Sequence, residues 1–150
     1  MIESLIENLA DLNLRRFEEA LLTIAAAAGV PGPAVLTSKS IVIEGVPLLL
    51  LVGSPVEPYT MLAACDIGTP APDKESAMYL AMLRANLVAP TSSVFFAALP
   101  DRNSVVLVCR ISIHPDEGLD GPVLLERLAS FSRICIKEIR DDFNLPGDWQ

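Results

Sequence analysis

The chain has 150 residues, a formal net charge of −8 and 51 % hydrophobic residues. That length suits one domain, residues 1–150, able to bury its own core, and the acidic balance repels phosphate backbones and anionic membrane surfaces, which argues against nucleic acid as a ligand. The mean hydropathy of +0.44 is high for a short soluble chain and predicts that some apolar surface is given to partners.

Residues 4–28 read as a first helix. Ser4 and Glu7 have capping-box spacing, and Leu14, Phe17, Leu21, Ile24 and Ala28 recur at intervals of three and four, the helical period. Gly29 and Pro31 stop it. Arg15, Arg16, Glu18 and Glu19 fall mostly on the side predicted to face solvent. The acidic opening MIESLIENLADLNL lacks the basic region of a signal peptide. No apolar run approaches the ~20 residues of a membrane span, so a cytoplasmic protein with no membrane partner is expected.

A strand-rich block follows over residues 35–67. Residues 40–43 are β-branched, Glu44 to Pro47 make a turn, and residues 48–52 form an apolar run of strand length. A loop with two prolines covers 53–58, and residues 59–67 form a third strand. Consecutive strands usually pair, which predicts a meander.

Asp73 is placed to cap a central helix over residues 76–89, ended by Pro90. This helix is apolar nearly all round. Met78, Met82 and Leu83 lie on one side, and Tyr79, Leu80 and Leu87 spread towards the other. An ordinary surface helix has one apolar stripe, so this one asks for cover on two sides, from its own sheet and from a second copy of the chain. Asn86 sits late in it and has two readings. It bonds locally to the loop that follows, or it fixes register in a symmetric seam as buried asparagines can in coiled coils.

Residues 93–99 and the segment after the turn PDRN (100–103) read as a hairpin. Val105, Leu107, Cys109, Ile111 and Ile113 point one way, and Val106 and Val108 make the other face apolar before Arg110, Ser112 and His114 turn it polar. After an acidic loop, Pro122 starts a last helix with Leu124, Leu128, Phe131, Cys135 and Ile139 as its buried stripe; Lys137 and Arg140 favour its end, and the tail from Asn144 is expected to fray.

Motifs for chemistry are absent. Cys65, Cys109 and Cys135 stand far apart, form no C-x-x-C pair and are read as reduced, buried thiols. His114 is the single histidine and reads as a solvent-facing residue at a strand end. There is no phosphate-binding glycine loop and no nucleophile elbow. The acidic pairs are sequence neighbours about 100° apart on a helix and make no acid–base dyad. No metal and no cofactor are called for.

The segment YLAMLRANLVAPTSSVFFAALPDRNSVVLVCRISI, residues 79–113, resembles the class I type III secretion chaperones, the Tir-chaperone-like family. Met82, Leu83, Asn86 and Leu87 match a leucine-rich helix end, and Val105, Leu107, Cys109 and Arg110 match an alternating strand before an arginine. LLERLASFSRICIKEI is similar to the family's last helix. The run from Leu48 to Val52 departs from the Gly- and Asp-rich hairpin common there. The resemblance implies an α+β fold, α-β-β-β-α-β-β-α, with a twisted antiparallel sheet, flanking helices and a homodimer. It also implies a protein without catalysis that binds the N-terminal region of a secreted effector in extended form and keeps it competent for export.

On that reading the effector meets Leu14, Phe17 and Leu21 on the first helix and Ile41, Ile43, Leu48 and Leu50 on the strands. Met78, Met82, Leu83 and Asn86 form the dimer seam. Two competing readings are a regulatory or scaffold module that binds a folded partner, and a small enzyme whose site is assembled only in space.

Overall fold

The computed structural model describes residues 2–54, 57–88, 93–99, 103–138 and 143–144. In chain order come α1 (Ile2–Ala28), α2 (Gly32–Ser38), β1 (Ser40–Ile43), β2 (Val46–Val52), β3 (Thr60–Pro70), α3 (Glu75–Val88), β4 (Val94–Ala98), β5 (Val105–Ser112), a 3-10 turn at Pro115–Glu117, α4 (Gly121–Glu138) and β6 (Phe143–Asn144). The α+β order expected from sequence holds, with α2 and β6 added. The predicted stop at Pro90, turn residues 100–102, Ile139, Arg140 and residues 145–150 lie outside the described residues. Asn144, expected in a frayed tail, pairs with Thr69.

α2 replaces the start of the predicted strand block. Proline suits the first turn of a helix, where its missing N–H has no partner to lose, and Pro31 and Pro33 frame that turn. Val35 faces the core. Lys39 ends the helix in the left-handed region at φ 54°, its N–H bonding the Val35 carbonyl at 2.8 Å. Seven residues are too few to show a 3.6-residue period.

The strands form one antiparallel sheet in the order β1-β2-β3-β5-β4, with β6 against the end of β3. Glu44 and Gly45, at φ 51° and 80°, make the β1–β2 hairpin turn. Val46 and Pro47, expected in that turn, already belong to β2. Pro47 lacks an N–H where it would face β3, and the β2–β3 register begins beyond it, at Leu49↔Ala64. At Gly53 an added Cβ would lie 2.4 Å from the Thr60 carbonyl oxygen, so only glycine lets β2 and β3 close there.

One face of the sheet meets α1 and α4. Leu48, Leu50, Met61, Cys65, Ile67, Leu107, Ile111 and Ile113 are buried there with Phe17, Leu21, Ile24, Leu128 and Phe131. Fully burying such a side chain stabilises by about 1.5–3 kcal/mol. The alternation read from β5 is seen directly, since Val106 and Val108 join Ala64 in a smaller cluster on the other face, under Leu49, Leu62 and Phe95. Arg110 lies over that face, its guanidinium 4.6 Å from the Phe95 ring centre.

Polar groups fasten α1 to the end of the sheet. Asn13 is buried, accepts from the Tyr59 N–H at 2.7 Å and donates to the Ser54 carbonyl at 3.5 Å. Arg16 was expected to face solvent. Its side chain is only 13 % exposed, and it donates to the Ile113 carbonyl at 2.7 Å and the His114 carbonyl at 3.2 Å. Asn13 was open to detection, being four residues before Phe17 on the buried stripe. Arg16 was not, because its partners are 97 and 98 residues away.

Candidate functional site

The sheet has two edges, and they are treated differently. On β4, the Arg110 N–H bonds to Ser93 at 2.8 Å and the Leu99 N–H to Ser104 at 3.3 Å. Antiparallel pairing then turns the backbone groups of Val94, Phe96 and Ala98 outward. The Asn86 side chain meets them at Phe96. It accepts from the Phe96 N–H at 2.8 Å and donates to the Phe96 carbonyl at 2.9 Å. A primary amide has the same donor and acceptor as a strand residue, so Asn86 stands in for one at the middle of this edge. Of its two readings, the intramolecular one is seen, with a strand as partner and not a loop.

On β1 the other edge is open. The Leu50 N–H bonds to the Lys39 carbonyl at 2.7 Å. With Ile41 opposite Leu48, this sends the backbone groups of Ser40 and Val42 away from β2. Ser40 is met by its neighbour Ser38, whose hydroxyl lies 3.3 Å from both its N–H and its carbonyl. Among the described residues no strand pairs with this side of β1. Val42 is 65 % exposed.

α3 stands beside β4 with no buried residue of its own. Met78, Tyr79 and Met82 are half-buried against the core. Leu83 (66 % exposed), Leu87 (77 %) and Leu80 face away from it. The helix is therefore apolar on both sides, as its sequence showed, but the sides are drawn differently: Tyr79 turns inward and Leu83 outward. An open apolar groove of about 200 Å³ runs between α3 and β4, lined by Tyr79, Met82, Leu83, Phe96 and Val105.

The structure separates the residues expected to meet an effector. Phe17, Leu21, Ile41, Ile43, Leu48 and Leu50 are buried in the protomer's own core, and Leu14 alone of that group is exposed. Periodicity marks which side of an element is apolar, and here that side is used within the chain. Of the residues expected in a dimer seam, Leu83 faces outward, Met78 and Met82 lean on the core, and both polar ends of Asn86 are engaged within the chain. Val42, Leu80 and Leu87 are exposed apolar residues outside both expected sets. Val42 carried the signal of an apolar residue on the polar side of a short strand.

No arrangement for catalysis stands out among the described residues. The three cysteines are free and buried. A hydrogen bond with Cys65 and then burial push the Cys135 thiol up, and burial pushes up Cys109. Such thiols stay protonated, which suits neither a nucleophile nor a metal ligand. His114 packs edge-on against Tyr59 with ring centres 5.1 Å apart, and its Nδ1 accepts from the Asp116 N–H at 3.2 Å. No group of acidic, histidine or cysteine side chains among the described residues is arranged to hold a metal, and no helix is long and apolar enough to cross a membrane.

The family model of the Tir chaperone protein (CesT) family matches residues 42–132. No curated protein matches the chain.

Proposed function

Since this chain belongs to the Tir chaperone protein (CesT) family, a family of non-enzymatic type III secretion chaperones, we propose that it binds the N-terminal segment of a secreted effector in extended form, as a cytoplasmic homodimer without catalytic activity or cofactor. The observation that carries this reading is the contrast between the two sheet edges. β4 is met at its middle residue, Phe96, by Asn86, whereas among the described residues no strand pairs with the outward backbone groups of Val42 on β1. An extended segment adds to such an edge through main-chain hydrogen bonds, and its alternate side chains give selectivity. Residues on one side of the added strand would lie in the row of Ile41 and Ile43, and those on the other beside Val42. Leu14 offers a further apolar contact on α1. Phe17, Leu21, Leu48 and Leu50 act from beneath by holding the surface in shape. The homodimer forms through the outward side of α3, where Leu83, Leu80 and Leu87 of the two copies cover one another and the flanks of Met78, Met82 and Asn86.

Val42→Pro tests the edge. Proline removes an N–H that points away from β2, and is tolerated on edge strands for that reason. The variant is expected to keep the wild-type unfolding midpoint and to lose binding of an effector's N-terminal segment. Unchanged binding by a folded Val42→Pro protein would sink pairing at β1 and leave Leu14→Asp as the next surface to try.

A further inference from the structure

Each sheet edge carries a polar side chain that imitates a strand, and the two grip differently. Asn86 holds the Phe96 backbone at 2.8 and 2.9 Å in a part-buried contact. On β1 the exposed Ser38 hydroxyl accepts from the Ser40 N–H and donates to the Ser40 carbonyl, each at 3.3 Å. One hydroxyl can do both, having a donor and two lone pairs. At that length both bonds lie beyond the usual range and are weak.

The chain around this contact is fixed. Val35 is buried, the Lys39 N–H bonds to its carbonyl at 2.8 Å, and the Lys39 ammonium bonds to the Leu36 carbonyl. What can move is the Ser38 hydroxyl itself, by rotation about one side-chain bond between staggered positions. Ser38 and Ser40 precede residues 42–132, the part matched by the family, so membership does not by itself bring this contact.

Ser40 and Val42 are the residues of β1 whose backbone groups point away from β2. Glu44, next in the alternation, has left the strand for the hairpin turn at φ 51°, and Arg133 holds its carboxylate at 2.7 and 3.0 Å. With the Ser38 hydroxyl in place, an added strand finds one open residue, Val42. With it turned aside, the strand finds Ser40 as well and doubles its main-chain hydrogen bonds. We propose that Ser38 is a displaceable plug that sets how far along β1 an added segment pairs, and so how tightly it is held; this rests on the reading of β1 as the effector's edge. In the free protein the plug shields Ser40 from other strands. A bound segment replaces two long bonds by two of ordinary length, and the released hydroxyl returns to water.

The probe is a synthetic peptide of about eight residues, Val and Thr alternating, with a Lys at each end. It is titrated into the full chain while backbone amide exchange is followed. The Ser40 and Val42 amides should both slow in the complex, and Ser38→Ala without peptide should exchange faster than wild type at Ser40. Ser38→Ala is expected to bind about fivefold tighter, because nothing has to be displaced. Ser38→Thr keeps the hydroxyl and is expected to bind within about twofold of wild type, and Val42→Pro not at all. Unfolding midpoints should match in all three, since Ser38 and Val42 are exposed. Slowing at Val42 without slowing at Ser40, equal affinity of Ser38→Ala and wild type, or the same gain in Ser38→Thr would overturn the plug and leave pairing at β1 standing. Binding that survives Val42→Pro, or no binding to either wild type or Ser38→Ala, would instead remove pairing at β1 itself, and the plug with it.

Discussion

The Asn86 side chain pairs with both backbone groups of Phe96, at 2.8 and 2.9 Å, and so joins α3 to the edge of the sheet. The contact protects a strand that would otherwise recruit other chains. It also sets which side of α3 faces outward.

Removing that amide should loosen the helix and the strand together. Asn86→Ala is expected to cost about 1–3 kcal/mol, the loss of two part-buried hydrogen bonds at about 0.5–1.5 kcal/mol each. Asn86→Asp keeps an acceptor for the Phe96 N–H but sets a carboxylate against the Phe96 carbonyl, and should be no better. Urea denaturation gives the cost, and hydrogen exchange at Phe96 should quicken in Asn86→Ala. Wild-type exchange at that amide would show that the pair does not hold the edge.

Leu83→Glu tests the proposed dimer. Leu83 is 66 % exposed in the protomer, so a charge there leaves the fold intact. In an apolar seam the same charge has no partner and is strongly disfavoured. Light scattering after size exclusion should give a mass near twice 16.1 kDa for the wild type and near 16.1 kDa for the variant. A variant with undiminished mass would move the seam off α3.

Ser132 invites the opposite kind of change. It is fully buried on α4, and among the described residues its hydroxyl has no hydrogen-bond partner. An unsatisfied buried hydroxyl costs about 1–3 kcal/mol, so Ser132→Ala is expected to stabilise the chain by up to about that much. A lower melting temperature in Ser132→Ala would show that the hydroxyl has a partner after all.

The thiols predict a pH dependence. A hydrogen bond with Cys65 and burial hold the Cys135 thiol above its ordinary value, and burial does so for Cys109. In the unfolded chain these thiols ionise near about pH 8.5. Above that pH the unfolded state holds fewer protons than the folded one, so stability falls as pH rises. Below it the thiols are protonated in both states and contribute no slope. Urea midpoints compared between neutral and alkaline pH should fall, and Cys135→Ala should reduce the fall. A wild-type midpoint unchanged across that range would mean that these thiols ionise as readily in the fold as out of it.

The sequence by itself determined the order of the three long helices and the five main strands, the alternation of β5 and the two-sided apolar character of α3. Each rests on the period of a helix or a strand, a local property legible in one chain. It also showed the family, through the segment from α3 to β5. Tertiary structure decided which apolar residues are free. Ile43 and Val42 are adjacent β-branched residues, but Ile43 faces α4 and the core while Val42 faces out, because pairing with β2 sets their sides. The edge met by Asn86 and the clamp made by Arg16 were likewise out of reach. They join residues 10 and 97 apart in sequence, and no local period encodes a contact made across the fold.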